Sequence, residues 1–206
     1  MTREALAQWI GWLAAAAFFA RLLPQPIKLW RTGLPHGVSA LATLNNVVTD
    51  VGWLLYGLAS STTQVWLTAS VALVPGIWTV VLLRSHTSRR QVALAGVWLA
   101  VVAVTLPLGL VGGVLAVSVL VNHGPQVWTV LRTDDLSGVA VATWRLAILD
   151  ATLWGLFGAI GDEVDVALVG YGLVLLLTAI VVLVRVAVTV PASTPDRDDV
   201  TYTPGP

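Results

Sequence analysis

Seven stretches of the chain are almost wholly apolar, and short clusters of polar residues, proline or glycine separate them. They cover residues 5–23, 38–58, 65–83, 92–110, 113–131, 139–160 and 164–190. Each is close to the roughly 20 residues that an α-helix needs to cross the hydrocarbon of a bilayer. A transmembrane β-barrel would alternate polar and apolar residues along each span, and these runs do not. Backbone groups in lipid must be satisfied within their own segment, so the pattern predicts seven transmembrane helices. The first run also has the form of a cleavable signal, with Arg3 ahead of an apolar stretch that includes the alanines at 14–17. It has a counterpart later in the chain, however, which argues that it is a structural helix.

Composition narrows the picture. Of 206 residues, 57% are hydrophobic and 11% charged, where a soluble domain carries about 25% charged residues. The net charge is zero, so no nucleic-acid partner is expected. The absence of cysteine excludes disulfides, thiolate metal sites and cysteine nucleophiles, and His36, His86 and His123 are too scattered for a multi-histidine metal site. No metal or other cofactor is expected. The segment 191–206 is rich in Pro, Thr and Asp and reads as a disordered tail.

The apolar runs repeat. Shifted by 101 residues, the chain aligns with itself without a gap, and from 24 to 84 there are 15 identities in 61 positions. Pro24-Gln25 falls on Pro125-Gln126, Arg31-Thr32 on Arg132-Thr133, Gly37-Val38 on Gly138-Val139, Trp53 on Trp154, Gly57 on Gly158 and Arg84 on Arg185. Such a register points to an internal duplication. The expected organisation is a three-helix repeat at 1–87, a linker helix at 88–111, a second three-helix repeat at 112–190 and the tail at 191–206. The fold class is thus an all-α membrane protein of two parallel repeats, 3+1+3. The copies begin four crossings apart, so they share a direction only because the linker helix turns the second one over. Charge agrees: Lys28, Arg31, Arg84, Arg89, Arg90, Arg132, Arg185 and Arg197 fall on one side of this arrangement, and Arg3 on the other. Basic residues collect on the cytoplasmic side. The N-terminus is therefore expected outside and the C-terminus inside, in the plasma (inner) membrane, with Asp162, Glu163 and Asp165 facing out.

The paired Pro-Gln near the inner ends of helices one and five, each followed 29 residues later by Trp, resembles the PQ-loop superfamily. The run Trp53-Leu54-Leu55-Tyr56-Gly57 is similar to the sugar-transporting SWEET and SemiSWEET branch, whose repeats are parallel. The resemblance implies that Pro24 and Pro125 are hinges for opening and closing the cytoplasmic side. Physically, each removes an intrahelical hydrogen bond and crowds the preceding turn; a fixed kink is the plainer reading, and it applies equally to Pro75 and Pro107. Gln25 and Gln126 are placed to bond the freed carbonyls or neighbouring helices. The chain departs from the branch on its third helices, where the Asn about 16 residues after each Trp is replaced by Ala69 and Gly170, flanked by Ser70 and Tyr171. Conversely, Leu149-Asp150-Ala151-Thr152 looks like the acidic stretch of cystinosin-type carriers, which are proton-coupled amino-acid exporters.

Polar residues within the spans are the candidate site. Asn46, Asp50 and Trp53 share one helical face by their spacing, as do Asp150 and Trp154, and Asn122 lies one turn before Gln126. A charge at mid-bilayer costs on the order of 3 kcal/mol, so such residues face a cavity or a partner. An indole stacks on a sugar ring or a cation, while carboxylate and amide groups bond hydroxyls or amines. Alternatively the Asn and Asp residues only tie helices together. Trp9, Trp12 and Trp30 read as interfacial anchors. Arg21 reads as a snorkelling side chain, and Arg145 either snorkels or pairs with an acid.

These features predict a transporter of a small polar solute, a sugar first, working by alternating access with Trp53, Trp154, Asn46, Asp50, Asn122 and Asp150 in contact with the solute. A proton-coupled amino-acid carrier using Asp150 or Asp50 is the second reading, and a non-transporting receptor or scaffold the third. No enzyme motif occurs. The expected partners are the solute, the lipid bilayer, protons in the second reading, and further copies of the chain if it oligomerises.

Overall fold

The computed structural model describes residues 2–161 and 164–189. The expected tail at 191–206, together with Arg197, Asp162 and Glu163, lies outside the described residues. The described chain contains no β-strand and eight α-helices: α1 (Arg3–Leu22), α2 (Pro24–Thr32), α3 (Ala40–Ala59), α4 (Thr63–Leu82), α5 (Arg89–Thr105), α6 (Val111–Arg132), α7 (Val141–Ile160) and α8 (Val166–Thr189), with a 3₁₀ turn at Arg84–His86 after α4. Because α1 and α2 follow one another across Leu23, they form one span, and the helices make seven. Four stretches, Arg3–Thr32, Thr63–Leu82, Val111–Arg132 and Val166–Thr189, are long and apolar enough by composition to cross a membrane. The protein is an all-α integral membrane protein. Of the other three helices, α5 has 17 residues, whereas α3 and α7 carry the Asn, Asp and Arg residues named above.

Local chemistry sets the helix ends. Thr2 caps α1 through its hydroxyl, Ser39 caps α3, and Ser88 with Gln91 forms a reciprocal capping box on α5. The helical hydrogen bonding of the span α1–α2 is interrupted at Leu23, whose own backbone stays helical, because Pro24 and Pro26 leave the carbonyls of Ala20 and Leu22 without their usual N–H partners. The second Pro-Gln behaves differently. Helix α6 runs unbroken through Pro125, which has no second proline two residues on. Pro107 is not inside the linker helix as expected. Helix α5 ends at Thr105, and Pro107 belongs to the turn before α6, where it has no N–H to continue the helical bonding to the Ala103 carbonyl.

Six helices pack in a closed ring. Helix α4 lies between α1 and α3, and α8 lies between α6 and α7; the circuit closes through contacts of α1 with α7 and of α3 with α6. Helix α5 stands outside it, packed on α3 and touching α6. Leucine and valine side chains such as Val74, Val97, Leu120, Leu177 and Val184 are exposed on the outer surface, where lipid rather than water is their solvent. The turns α3–α4 and α7–α8 are tight at matching glycines. A Cβ on Gly57 would lie 2.5 Å from the Trp66 backbone nitrogen, and one on Gly158 would lie 2.7 Å from the Leu168 Cβ.

Candidate functional site

The ring encloses a cavity of about 160 Å³, room for on the order of ten water molecules or one small solute. From α3, Asn46, Asp50 and Trp53 all line it, as their helical spacing requires. Asn122 and Gln126 of α6, Gln25 of α2 and Trp154 of α7 line it too. Pro24 and Pro125 do not. Pro125 instead borders a groove on the outer side of α6 with Trp98 and Leu120.

Asp150 does not reach the cavity either. Its side chain is 0% exposed, and the Arg21 Nε lies 3.0 Å from its Oδ2. Tyr171 donates its hydroxyl hydrogen to the same oxygen at 3.2 Å and accepts from Arg21 Nη2 at 3.1 Å. Asp150 is therefore a counter-ion behind the wall, and the wall in front of it is made by Arg21 and Tyr171. The snorkelling expected of Arg21 is corrected by the same contacts. The residue is 7% exposed, because an acid on a neighbouring helix offers its guanidinium a charge partner within the bundle. Its guanidinium also lies over the Phe18 ring, 4.8 Å from the centroid. Arg145, the other candidate for pairing with an acid, is exposed.

The cavity also holds residues that the sequence reading passed over. Tyr171 packs edge-on to Trp53 at 5.7 Å between centroids, and His123 packs edge-on to Trp144 at 5.6 Å. Thr49, one residue before Asp50, donates to Asn122 Oδ1 at 2.8 Å and accepts from the Trp98 indole of α5 at 2.8 Å. That chain of bonds ties the outlying helix to the ring. The two third-helix positions that lack Asn are not equivalent. Ala69 lines the cavity, whereas a Cβ on Gly170 would meet Ala116 Cβ at 3.2 Å, so there the glycine allows α8 to approach α6.

Two layers of contacts repeat under the 101-residue shift. Arg21 and Asp150 become Asn122 and Thr49, another bonded pair between the first helix of one half and the second helix of the other. One turn further in, Gln25 Nε2 donates to the Gly138 carbonyl at 3.0 Å and Oε1 accepts from the Ala140 N–H at 3.1 Å. Gln126 donates to the Gly37 carbonyl at 2.6 Å and accepts from the Ser39 N–H at 2.8 Å. Each glutamine thus satisfies the backbone where the opposite half turns into its second helix. The two turns also meet directly, through the Gly138 N–H on the His36 carbonyl at 3.0 Å and His36 Nδ1 against Asp135 Oδ2 at 2.8 Å. Hydrogen bonds from Ser137, with His36 adding to them, lower the Asp135 carboxyl to a pKa of about 2. These contacts close the bundle at this end. At the other end, Tyr56 donates to Asp165 Oδ2 at 3.0 Å and Arg3 Nε to the Ile160 carbonyl at 2.8 Å, and Gln8 and Gln64 are bonded to one another.

Among the described residues, no group of three His, Cys, Asp or Glu is placed to hold a metal ion. The arrangement is a polar and aromatic chamber with contacts at both ends. Residues 6–66, which run from α1 into the start of α4 and include Pro24-Gln25 and Trp53, match the family model of the PQ loop repeat. No curated protein matches the chain. Proteins of the PQ-loop family are membrane transporters or related membrane proteins.

Proposed function

Since the chain carries a PQ-loop repeat, we propose that it is a transporter moving a small polar solute across the membrane by alternating access. The observation that carries this reading is the chamber lined by Asn46, Asp50, Trp53, Asn122 and Trp154 within a ring of six helices. A receptor has no need of contacts at both ends of its site. The duplicated 3+1+3 organisation is part of the proposal, and the two pairs of contacts related by the 101-residue shift support it. In this scheme the crossed bonds of Gln25 and Gln126 are the inner gate. Pro24 and Pro125 are the points about which the inner halves of the first and fifth spans swing, with α1–α2 already broken at Leu23.

For the solute, a sugar is one reading, since the faces of Trp53 and Trp154 suit a pyranose. The proton-coupled amino-acid carrier is the second reading, and a specific observation favours it: the chamber contains a carboxylate, Asp50. Of the two acids considered for coupling, Asp150 is held by Arg21 and Tyr171, which leaves Asp50 for the role. Uptake of a panel of sugars and amino acids into liposomes, with and without a pH gradient, tests both. We expect flux of at least one solute. No flux of any solute in either direction sinks the transporter, and a pH dependence unchanged in Asp50→Asn rules out coupling through that residue.

A further inference from the structure

The charges around the chamber do not balance. Three charged side chains approach it: Arg21, Asp50 and, behind the wall, Asp150. The guanidinium is committed to Asp150 at 3.0 Å, and Tyr171 bridges the pair. Among the described residues Asp50 makes no hydrogen bond and no ion pair. Beside its Oδ2 is Gly76, where even a Cβ would stop 3.8 Å short of the oxygen. Asp50 therefore presents a carboxylate to the chamber with no protein group set against it. A buried carboxyl without a partner holds its charge only at a cost, so an occupant that brings the opposite charge is the one that favours its ionised form.

The neighbours of Asp50 suit one kind of occupant. Trp53, three residues on, lines the chamber with Trp154, Trp144 and Tyr171. Aromatic faces attract a cation whose charge is spread over carbon-bound hydrogens, and the combination of rings with one carboxylate is a general arrangement for holding ammonium groups. A neutral sugar could stack on the same rings but brings no charge to set against the Asp50 carboxyl. A solute anion would meet Asp50 directly and find the guanidinium already occupied.

We propose that the chamber binds a small organic cation, an ammonium-bearing solute whose charge rests against Asp50 and whose carbon substituents lie on the Trp53 and Trp154 indoles. This names the solute class of the proposed transporter and rests on that reading for the ligand's route, though not for its binding.

The test is equilibrium binding to the full chain in nanodiscs, followed by tryptophan fluorescence, with choline, its uncharged isostere 3,3-dimethylbutanol, and glucose as probes. Measurement at about pH 8 keeps an ordinary imidazole neutral. Choline should bind at least about tenfold more tightly than the isostere, a difference of about 1.4 kcal/mol. Asp50→Asn should remove most of that ratio, and Asp50→Glu should keep it. Equal binding of choline and the isostere by the wild type, tighter binding of glucose, or an undiminished ratio in Asp50→Asn overturns the inference. The first two need no variant, so a poorly folding Asp50→Asn does not shield the proposal. Liposome flux separates the two readings. Choline binding with no flux of any solute leaves the cation site and removes the transporter, whereas flux of neutral solutes without choline binding does the reverse.

Discussion

Two aspartates, on helices α3 and α7 at opposite sides of the ring, have opposite circumstances. Asp150 is enclosed with a guanidinium and a phenol, and Asp50 is open to the chamber. Breaking a buried pair by removing one partner costs roughly 3–5 kcal/mol, because it strands the other charge. Asp150→Asn should therefore lower stability by about that amount, read as the shift in unfolding in a mixed-micelle titration. Replacing both members, as Arg21→Met with Asp150→Leu, should recover most of the loss. Asp50→Asn removes a charge that has no protein partner and should cost less than about 1 kcal/mol. If Asp150→Asn unfolds with the wild type, the pair is not what holds α1 to α7. The sequence showed that Asp50 and Asp150 must face something other than lipid, since their cost in hydrocarbon is set by chemistry alone. It could not show which had a partner. That depended on Arg21, a residue whose place near the end of a span made lipid-headgroup contact the simpler expectation. One clue was available: 101 residues after Arg21 stands Asn122, and 101 before Asp150 stands Thr49, a second polar pair in matching register.

At the scale of helices, the spans themselves were legible and their irregularities were not. The seven apolar runs lie within a few residues of the helices because lipid forces every buried backbone group into a helical bond, a constraint that acts on composition directly. Where a proline intervenes, the outcome depends on neighbours. Pro24 with Pro26 breaks a span, Pro125 alone is absorbed in α6, and Pro107 falls beyond the end of α5. The glutamines were readable as candidates for interhelical bonds, but their targets, backbone groups in the opposite half, appear only when the ring is assembled. Each makes one donated and one accepted bond. At about 0.6 kcal/mol for a polar contact within a membrane bundle, Gln25→Ala and Gln126→Ala should each favour the inward-open form by about 1 kcal/mol, roughly a fivefold change in population. The chain has no cysteine, so Thr43→Cys in the chamber wall is a clean reporter. Its rate of modification by a thiol reagent added from the inner side should rise about fivefold in either variant. An unchanged rate in both would mean that the crossed glutamines do not gate that end.

For the whole molecule, the arrangement of charge makes the strongest claim, because it concerns orientation and no internal contact can supply that. Lys28, Arg31, Arg84, Arg89, Arg90, Arg132 and Arg185 lie at or beyond one set of helix ends, while Arg3 and Asp165 belong to the other. That bias reflects insertion, during which basic loops are retained in the cytoplasm. On that bias we propose that the crossed turns at 33–39 and 133–140 lie inside and the tight turns at Gly57 and Gly158 outside. The result also fits the direction of the two halves. In the proposed 3+1+3 arrangement the outlying helix α5 carries the chain back across the membrane, so that the first helices of both halves run the same way and Gln25 and Gln126 make matching bonds. Two single-cysteine variants test it: His36→Cys in an inner turn and Ser61→Cys in an outer one. In intact cells a membrane-impermeant maleimide should label Ser61→Cys and leave His36→Cys unreacted until the membrane is permeabilised. Labelling of His36→Cys alone would invert the orientation, and labelling of both in intact cells would mean that the number of crossings between them is even, which a single crossing by α3 does not permit.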